Sequence, residues 1–243
     1  MKCRLCEQDK NLVDSHIIPK SFYKYLYPEE KIEGKSLEMV DGRSGITKRS
    51  RIGPYEKLLC SECDGAIGRY DDYAKTIFLD STPKNCPGAN NAFLFEGIEY
   101  LNFKLFIVSL LWRASISSLD IFSRISLGPY EKILQTMLKE QNPGSPEDFP
   151  IVVSKHDPGK LGDVANKNIQ DPIKTRIDNI NFYLFFLPRG YQVFIKVDSQ
   201  KLPDSFSGLC LKNDGKLIVL NRGDYEKSGS YKALLNTAKS LKK

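Results

Sequence analysis

The sequence predicts an α+β fold in two parts, and three observations lead to this prediction. Two Cys-x2-Cys pairs, at residues 3–6 and 60–63, mark an amino-terminal part in which short strands lead into a helix. Residues 100–116 are apolar nearly all round and residues 129–139 are amphipathic, which indicates two helices beyond that part. Four short segments rich in β-branched and aromatic residues then predict an antiparallel sheet, at 151–153, 182–187, 191–197 and 217–220.

A linker separates the two parts. Residues 83–91 contain Pro87-Gly88 and two neighbouring asparagines, which are typical of a connecting loop. We therefore predict an amino-terminal domain over 1–82 and a domain of mixed helices and sheet over 92–243, closed by a helix from 230 to 241. The sequence assigns no role to the second domain.

Composition restricts the class of protein. The chain has 243 residues, 41% of them apolar, so it can bury a core of its own. Six cysteines are too few for a disulfide scaffold, which indicates a reducing compartment.

The chain starts Met-Lys-Cys-Arg without a secretion signal, and its longest apolar run, 105–112, is too short to span a bilayer. We expect a cytoplasmic protein with no membrane partner, of undetermined oligomeric state. Its net charge of +6 mildly favours binding to polyanions such as nucleic acids.

The four paired cysteines predict a structural zinc site. Two thiolates separated by two residues can close on one tetrahedral ion, and two such pairs complete its coordination. Cys3 and Cys6 provide the first pair, and Cys60 and Cys63 the second. Residues 7–59 lie between the pairs, so the ion would close a loop of 53 residues and present whatever that loop contains.

His16 is the candidate catalytic residue in this loop. Leu12-Val13 predicts a short strand, and the extended segment continues through His16 to Pro19. Imidazole titrates near neutrality, so a rigidly held histidine can take a proton from water. The alternative is that His16 has a structural role or is a further zinc ligand. The second histidine, His156, stands beside Asp-Pro-Gly and is expected on a surface loop without chemistry.

Basic residues follow in the same loop. Residues 36–51 predict a hairpin or long loop, and the segment from 43 to 57 is basic, with Glu56 alone opposing the positive charges. The candidate phosphate contacts are Arg43, Lys48, Arg49 and Arg51. A solvated charged loop is the alternative.

These motifs resemble the HNH endonuclease family. Cys3-Arg4-Leu5-Cys6, Ser-His-Ile-Ile-Pro at 15–19 and Leu-Leu-Cys-x2-Cys at 58–63 are similar to the family's Cys-x2-Cys, Asp-His-Ile-Ile-Pro and Leu-Cys-x2-Cys-His. The resemblance covers roughly residues 3–78, and residues 97–140 resemble uncharacterised bacterial proteins that have the same amino-terminal pattern. It implies a ββα-metal finger with a structural zinc ion, in which His16 activates water.

The sequence departs from the family pattern at three positions. Ser15 stands where the family's aspartate binds the catalytic ion, Asp64 stands where its final histidine does, and Tyr55 falls near its asparagine. A hard ion such as Mg2+ or Mn2+ accepts carboxylate oxygen, so Asp64 could replace the histidine, with Glu56 or Asp14 as a second ligand. A helix-capping role is the alternative for Asp64.

The expected function is metal-dependent hydrolysis of nucleic-acid phosphodiester bonds, with DNA the expected substrate and His16 as general base. The alternative is a catalytically inactive zinc module that binds nucleic acid or protein. An assay that shows cleavage of nucleic acid, dependent on a divalent ion and on His16, distinguishes the nuclease from the inactive module.

Overall fold

The structure is a computed structural model, and it describes residues 1–26, 37–40, 47–50 and 53–240. In the two short ranges, and at residues 205, 237, 238 and 240, it describes the backbone alone. The fold is mixed α+β, as predicted.

The amino-terminal part is built from paired strands and a helix. Its elements are β1 (Leu12–His16), α1 (Lys20–Tyr25), β2 (Leu37–Val40), β3 (Thr47–Ser50), β4 (Tyr55–Cys60) and α2 (Ser61–Lys75). Strands β1 and β4 pair antiparallel, and β2 pairs antiparallel with β3 inside the connection between them. Helix α2 begins directly after β4 and continues into a π-helical turn, Thr76–Asp80. The predicted change from strand to helix at Cys60 is confirmed.

The remaining elements form one large sheet with helices around it. They are β5 (Lys84–Asn85), β6 (Ala92–Glu96), α3 (Tyr100–Ile116), α4 (Tyr130–Lys139), β7 (Ile151–Asp157), α5 (Asp163–Asn166), β8 (Ile173–Ile177), β9 (Ile180–Leu187), β10 (Tyr191–Lys196), α6 (Asp204–Ser207), β11 (Lys216–Asp224) and α7 (Gly229–Ser240). Short 3-10 turns lie at Asp120–Phe122, Gly159–Leu161, Pro188–Gly190 and Tyr225–Lys227.

The sheet is mixed, which corrects the predicted antiparallel sheet. Its seven strands follow the order β5-β6-β11-β7-β10-β9-β8, and β11 runs parallel to β7 with Val219 opposite Val153. The other neighbouring strands are antiparallel. Because a parallel pair needs a long crossover, β11 reaches β7 only after the chain has passed through β8, β9 and β10.

The hairpin between β9 and β10 depends on two residues with positive φ. Arg189 has φ 61° and Gly190 has φ 76°, as the predicted Pro-Arg-Gly turn requires. A Cβ atom at Gly190 would lie 2.9 Å from the carbonyl oxygen of His156, so the turn packs closely on β7. His156 itself is 6% exposed and lies on β7, edge-on to Tyr225, which corrects the predicted surface loop. Strand β7 simply runs further than its apolar residues indicate.

Helix α3 is the centre of the molecule. Residues 103–114 are all buried, as the apolar sequence predicts, and the helix packs against both α2 and α4. The ring of Phe78, in the π-helical turn after α2, contacts the rings of Phe22, Phe106 and Tyr191. One hydrophobic cluster therefore includes residues from both predicted domains. Residues 83–91, the predicted linker, contribute none of its members.

None of the described helices is both long enough and apolar enough to cross a membrane.

Candidate functional site

The four predicted cysteine ligands lie together. Their sulfur atoms are all within 4.8 Å of one another, and the Sγ atoms of Cys6 and Cys60 are 4.0 Å apart. In a tetrahedral site with Zn–S bonds of about 2.3 Å, neighbouring sulfurs are about 3.8 Å apart. Cys3, Cys6, Cys60 and Cys63 can therefore hold a metal ion such as zinc with only small movements.

The first cysteine pair is held in a closed turn. The backbone N–H of Glu7 donates to the carbonyl oxygen of Cys3 at 2.9 Å, and Glu7 has φ 61°. The N–H of Arg4 donates to the carbonyl oxygen of Leu58 at 3.0 Å, which ties this turn to β4 just before the second pair. These backbone hydrogen bonds place the turn that carries the first pair against the strand that carries the second.

The surroundings of the thiols suit a bound cation. Burial raises the pKa of the Cys3 thiol, but backbone N–H groups, chiefly those of Cys6 and Cys60, outweigh it and bring the pKa to about 7. The N–H of Cys60 donates to the Cys3 sulfur at 3.3 Å. Burial, together with the neighbouring thiols, raises the pKa of Cys63. Four clustered thiols cannot all lose their protons unless a cation compensates the charge, which is what a metal ion does.

His16 is the last residue of β1, and its side chain is half-buried. It lies directly opposite Tyr55 on β4, and the centroids of the two rings are 5.7 Å apart. The cluster of metal-binding residues does not include His16, so the geometry does not favour the alternative of a further zinc ligand.

The backbone of His16 is held by a buried arginine. Arg113 is 2% exposed and makes five hydrogen bonds, one for each of its N–H groups. Its Nη1 donates to the carbonyl oxygen of His16 at 2.7 Å, and Nη1 and Nη2 both bond to the Asp71 carboxylate. Nε and Nη2 donate to Ser109. Arg113 thus joins the end of β1 to α2 and α3.

Glu56 fixes the neighbouring strand in a similar way. Its carboxylate accepts hydrogen bonds from the Ser117 hydroxyl at 2.8 Å and from the backbone N–H and hydroxyl of Ser118 at 3.0 and 2.6 Å. Burial raises the pKa of Glu56, but these hydrogen bonds outweigh it, so the pKa lies below its ordinary value. Glu56 is paired with Ser15, whereas its neighbour Tyr55 is paired with His16. Consecutive residues of a strand face opposite sides of the sheet. Glu56 therefore points away from the face that carries His16 and already has hydrogen-bond donors.

Ser15 explains one departure from the family pattern. Its side chain is fully buried on the same side of the strand pair as Glu56. A small hydroxyl group suits this interior position better than a carboxylate, which would need a charged partner there.

Asp64 lies in the first turn of α2 and is half-buried. The cap position of this helix is Cys60, and no side chain caps it, so the geometry does not favour the capping alternative for Asp64. Burial is the main cause that raises the pKa of the Asp71 carboxyl, and the charge of Asp64 adds to it. Asp64 and Asp71 are seven residues apart on α2, close to two helical turns, so they lie on the same side of the helix.

The predicted basic contacts are only partly described. Lys48 and Arg49 lie on β3, opposite Met39 and Glu38 of β2, and only their backbone is described. Arg43 and Arg51 lie outside the described residues.

The residues that hold the site together were not predicted. No motif in the sequence marks Asp71, Ser117 or Ser118, and Arg113 was not among the predicted site residues. The signal was present, because Arg113 lies inside a helix that is apolar nearly all round. A charged residue in such a helix needs a buried partner of opposite charge.

The cysteine cluster is the only group of three or more metal-binding side chains among those that the structure describes. Comparisons with protein-family profiles, with curated proteins and with solved structures gave no match.

Proposed function

We propose that this protein is a metal-dependent, HNH-type endonuclease that hydrolyses nucleic-acid phosphodiester bonds, with His16 as general base. The main support is the placement of His16 at the end of β1, half-buried, on a strand pair that leads directly into the cysteine cluster and α2. Both strands are fixed at this end, β1 through Arg113 and β4 through Glu56. A general base needs such a rigid support.

In this proposal the four cysteines hold a structural zinc ion. All four ligand positions of a tetrahedral site are filled by thiolates, so the ion has no open position for a substrate. Its role is to fix β4 and the start of α2 relative to the first residues of the chain.

The proposed chemistry is addition of water to a phosphodiester. The imidazole of His16 accepts a proton from the attacking water as the new P–O bond forms, and the bond to the leaving oxygen breaks. The leaving oxygen takes a proton from solvent. A bound Mg2+ or Mn2+ ion supplies positive charge that stabilises the phosphate during this exchange.

Asp64 is the proposed protein ligand of that divalent ion. Mg2+ is often held by one or two carboxylates together with substrate phosphate oxygens and water, so a single protein carboxylate is compatible with this role. We leave Glu56 out of the proposed site, because Ser117 and Ser118 occupy its carboxylate and it faces away from His16.

The decisive test is divalent-ion-dependent nicking of plasmid DNA by the purified protein. Replacing a general base lowers the rate by about a hundred- to ten-thousand-fold, which is the loss we expect for His16→Ala. His16→Asn should be equally slow. Both variants should keep the zinc content and melting temperature of the parent, and a variant that cuts as fast as the parent would show that His16 is not the base.

Asp64→Asn tests the ion ligand, and Asp72→Asn on the exposed side of the same helix is its control. We expect Asp64→Asn to lose most of the cleavage at limiting magnesium and to recover part of it at high magnesium. Asp72→Asn should behave as the parent does. Equal rates for the two variants would contradict the assignment.

The basic residues are proposed to bind phosphates. If Arg43, Lys48, Arg49 and Arg51 each contact a phosphate of duplex DNA, each alanine substitution should flatten the slope of log K against log salt by about 0.9. An unchanged slope in the quadruple variant would favour the solvated loop.

One observation favours a catalytically inactive zinc module instead. Among the described side chains, no carboxylates gather with His16 into a group of three or more metal-binding residues. A protein that binds nucleic acid and never cuts it with Mg2+, Mn2+ or other divalent ions would support this second function.

A further inference from the structure

Tyr55 is an exposed aromatic side chain beside the imidazole of His16. It is 44% exposed, and its ring lies at 47° to the His16 ring with the centroids 5.7 Å apart. The two residues are directly paired on neighbouring strands, so their side chains project from the same face. The candidate general base and an exposed aromatic ring therefore share one surface.

The strand holds Tyr55 firmly. The next residue, Glu56, is anchored to Ser117 and Ser118. Two residues before Tyr55, Gly53 has φ 77°, and a Cβ atom there would lie 2.3 Å from the ring of the buried Tyr23. Only glycine fits this close approach. The backbone is therefore held on both sides of Tyr55.

Among the residues that the structure describes, apolar packing does not account for this ring. The buried residues of β4 are Leu58, Leu59 and Cys60 at its other end, and Tyr55 does not belong to the hydrophobic cluster. An exposed, rigidly held aromatic ring suits stacking, and every nucleobase offers a flat face to such a ring.

We propose that Tyr55 is a stacking platform for a nucleobase next to the phosphate that faces His16. The substrate is then a nucleic acid that is unpaired at this point, in a single strand, a loop or an end. In a duplex each base face is covered by its neighbours, and exposing one requires unstacking. This inference rests on the proposed function, since it names the substrate class of the same site.

The test measures binding without cleavage. The parent and its variants are titrated without added Mg2+ or Mn2+ and without chelator, so that the cysteine site keeps its ion, with a fluorescent 12-nucleotide single strand and with its duplex, as DNA and as RNA. Tyr55→Leu removes the ring, and Tyr55→Phe keeps it. Leu101→Ala, at a side chain on α3 with a similar exposed fraction of 43%, is the control for loss of surface apolar area.

We expect the parent to bind the single strand more tightly than the duplex. Tyr55→Leu should weaken single-strand binding by about 5- to 150-fold, the range for loss of one stacked base. Tyr55→Leu should change the affinity for the duplex little. Tyr55→Phe and Leu101→Ala should bind both forms with the affinity of the parent.

The outcomes separate this inference from the proposed function. If Tyr55→Leu binds the single strand as the parent does while the parent nicks DNA, the stacking role is wrong and the nuclease stands. If Tyr55→Leu loses single-strand binding but the parent, supplied with Mg2+ or Mn2+, cuts neither plasmid DNA nor the single strands, the stacking role stands and the nuclease falls. A parent that binds neither strand form overturns both.

Discussion

Arg113 shows how a single side chain connects the candidate site to the rest of the molecule. Its guanidinium bonds to the backbone of His16, to Asp71 on α2 and to Ser109 on α3, and it is 2% exposed. A buried guanidinium is tolerated because each N–H group has an acceptor and the carboxylate balances its charge. The position of the candidate base therefore depends on a residue 97 positions away in the sequence.

We predict that removing one partner of this pair destabilises the protein strongly. Breaking a buried pair costs about 3–5 kcal/mol because it leaves a buried charge uncompensated, so Arg113→Ala should lose about that much. Urea denaturation measures the loss. The control is Lys75→Ala, which breaks the exposed pair with Asp80 and should cost less than about 1 kcal/mol. Equal effects of the two substitutions would contradict the structural role of Arg113.

Glu56 gives a prediction for the pH dependence of stability. Its pKa in the folded protein lies below the ordinary value, because the Ser117 and Ser118 hydrogen bonds outweigh burial. A carboxyl group with a lowered pKa contributes stability above the unfolded pKa and loses it as the pH falls through the folded pKa. We expect Glu56→Gln to be less stable than the parent at pH 7 by about 1.5–3 kcal/mol.

That difference should begin to shrink as the pH falls below about 4.3, where Glu56 of the unfolded parent becomes protonated, and should vanish below the lower pKa of Glu56 in the folded protein. Denaturation of both proteins at several pH values checks this, because loss of metal in acid affects the two alike. A difference independent of pH would show that the charge on Glu56 is not what the serines stabilise.

The cysteine cluster joins two elements that are distant in the chain. The turn that carries Cys3 and Cys6 is placed against the junction of β4 and α2, where Cys60 and Cys63 lie. An ion held there closes the connection that contains β1, α1, β2 and β3. Since such a loop has many conformations when it is open, the ion and its ligands should stabilise this part considerably.

We predict that Cys60→Ser removes the ion and loosens the amino-terminal part. The parent should carry about one zinc ion per chain when it is purified without chelator, and Cys60→Ser should carry almost none. Limited proteolysis should then cut the variant between residues 1 and 60 much faster than the parent. Cys86→Ser is the matched control, because Cys86 is a free thiol outside the cluster and should change neither measurement. Parent protein without zinc would contradict the site.

The molecule as a whole is organised around α3. The helix contacts α2 on one side and α4 on the other, and one hydrophobic cluster includes residues from both sequence-predicted domains. Arg189, in the turn between β9 and β10, donates to the carbonyl oxygens of Phe78, Leu79 and Ser81 at the end of the π-helical turn. The amino-terminal part therefore packs on the rest through both apolar and polar contacts.

We predict that the two parts unfold together. Trp112, the only tryptophan, is 1% exposed and reports on the core by fluorescence, while metal release reports on the cysteine cluster. The two signals should change at the same urea concentration, because shared packing couples the parts. Two separate transitions would favour independent domains.

Phe78→Ala should shift both signals together. It removes a fully buried ring that contacts both parts, and such a change costs about 3–5 kcal/mol. Ile133→Ala, at a side chain that is 48% exposed, should stay within about 0.5 kcal/mol of the parent. If Phe78→Ala moved only one signal, the coupling would be wrong.

Local patterns in the sequence predicted a good part of this structure. The paired cysteines, the helices α3 and α4, the strands β9 and β10 and the change from strand to helix at Cys60 were all predicted, because spacing and periodicity are properties of neighbouring residues. Strand β8 was not predicted, since Lys174 and Arg176 alternate with its apolar residues and resemble a solvated loop. Strand β6 fell next to the predicted linker and was also missed.

The contacts between distant segments were decided only by tertiary structure. The sequence alone selected His16, the four cysteines, Asp64 and the basic residues, each from its neighbours and spacing. It could not pair β11 with β7, place Arg113 against His16, or show that Glu56 bonds to Ser117 and Ser118. These contacts join residues far apart in the chain, and each depends on where the intervening elements pack. The sequence thus determined which residues carry candidate chemistry, and the packing around α3 determined which of them face one another.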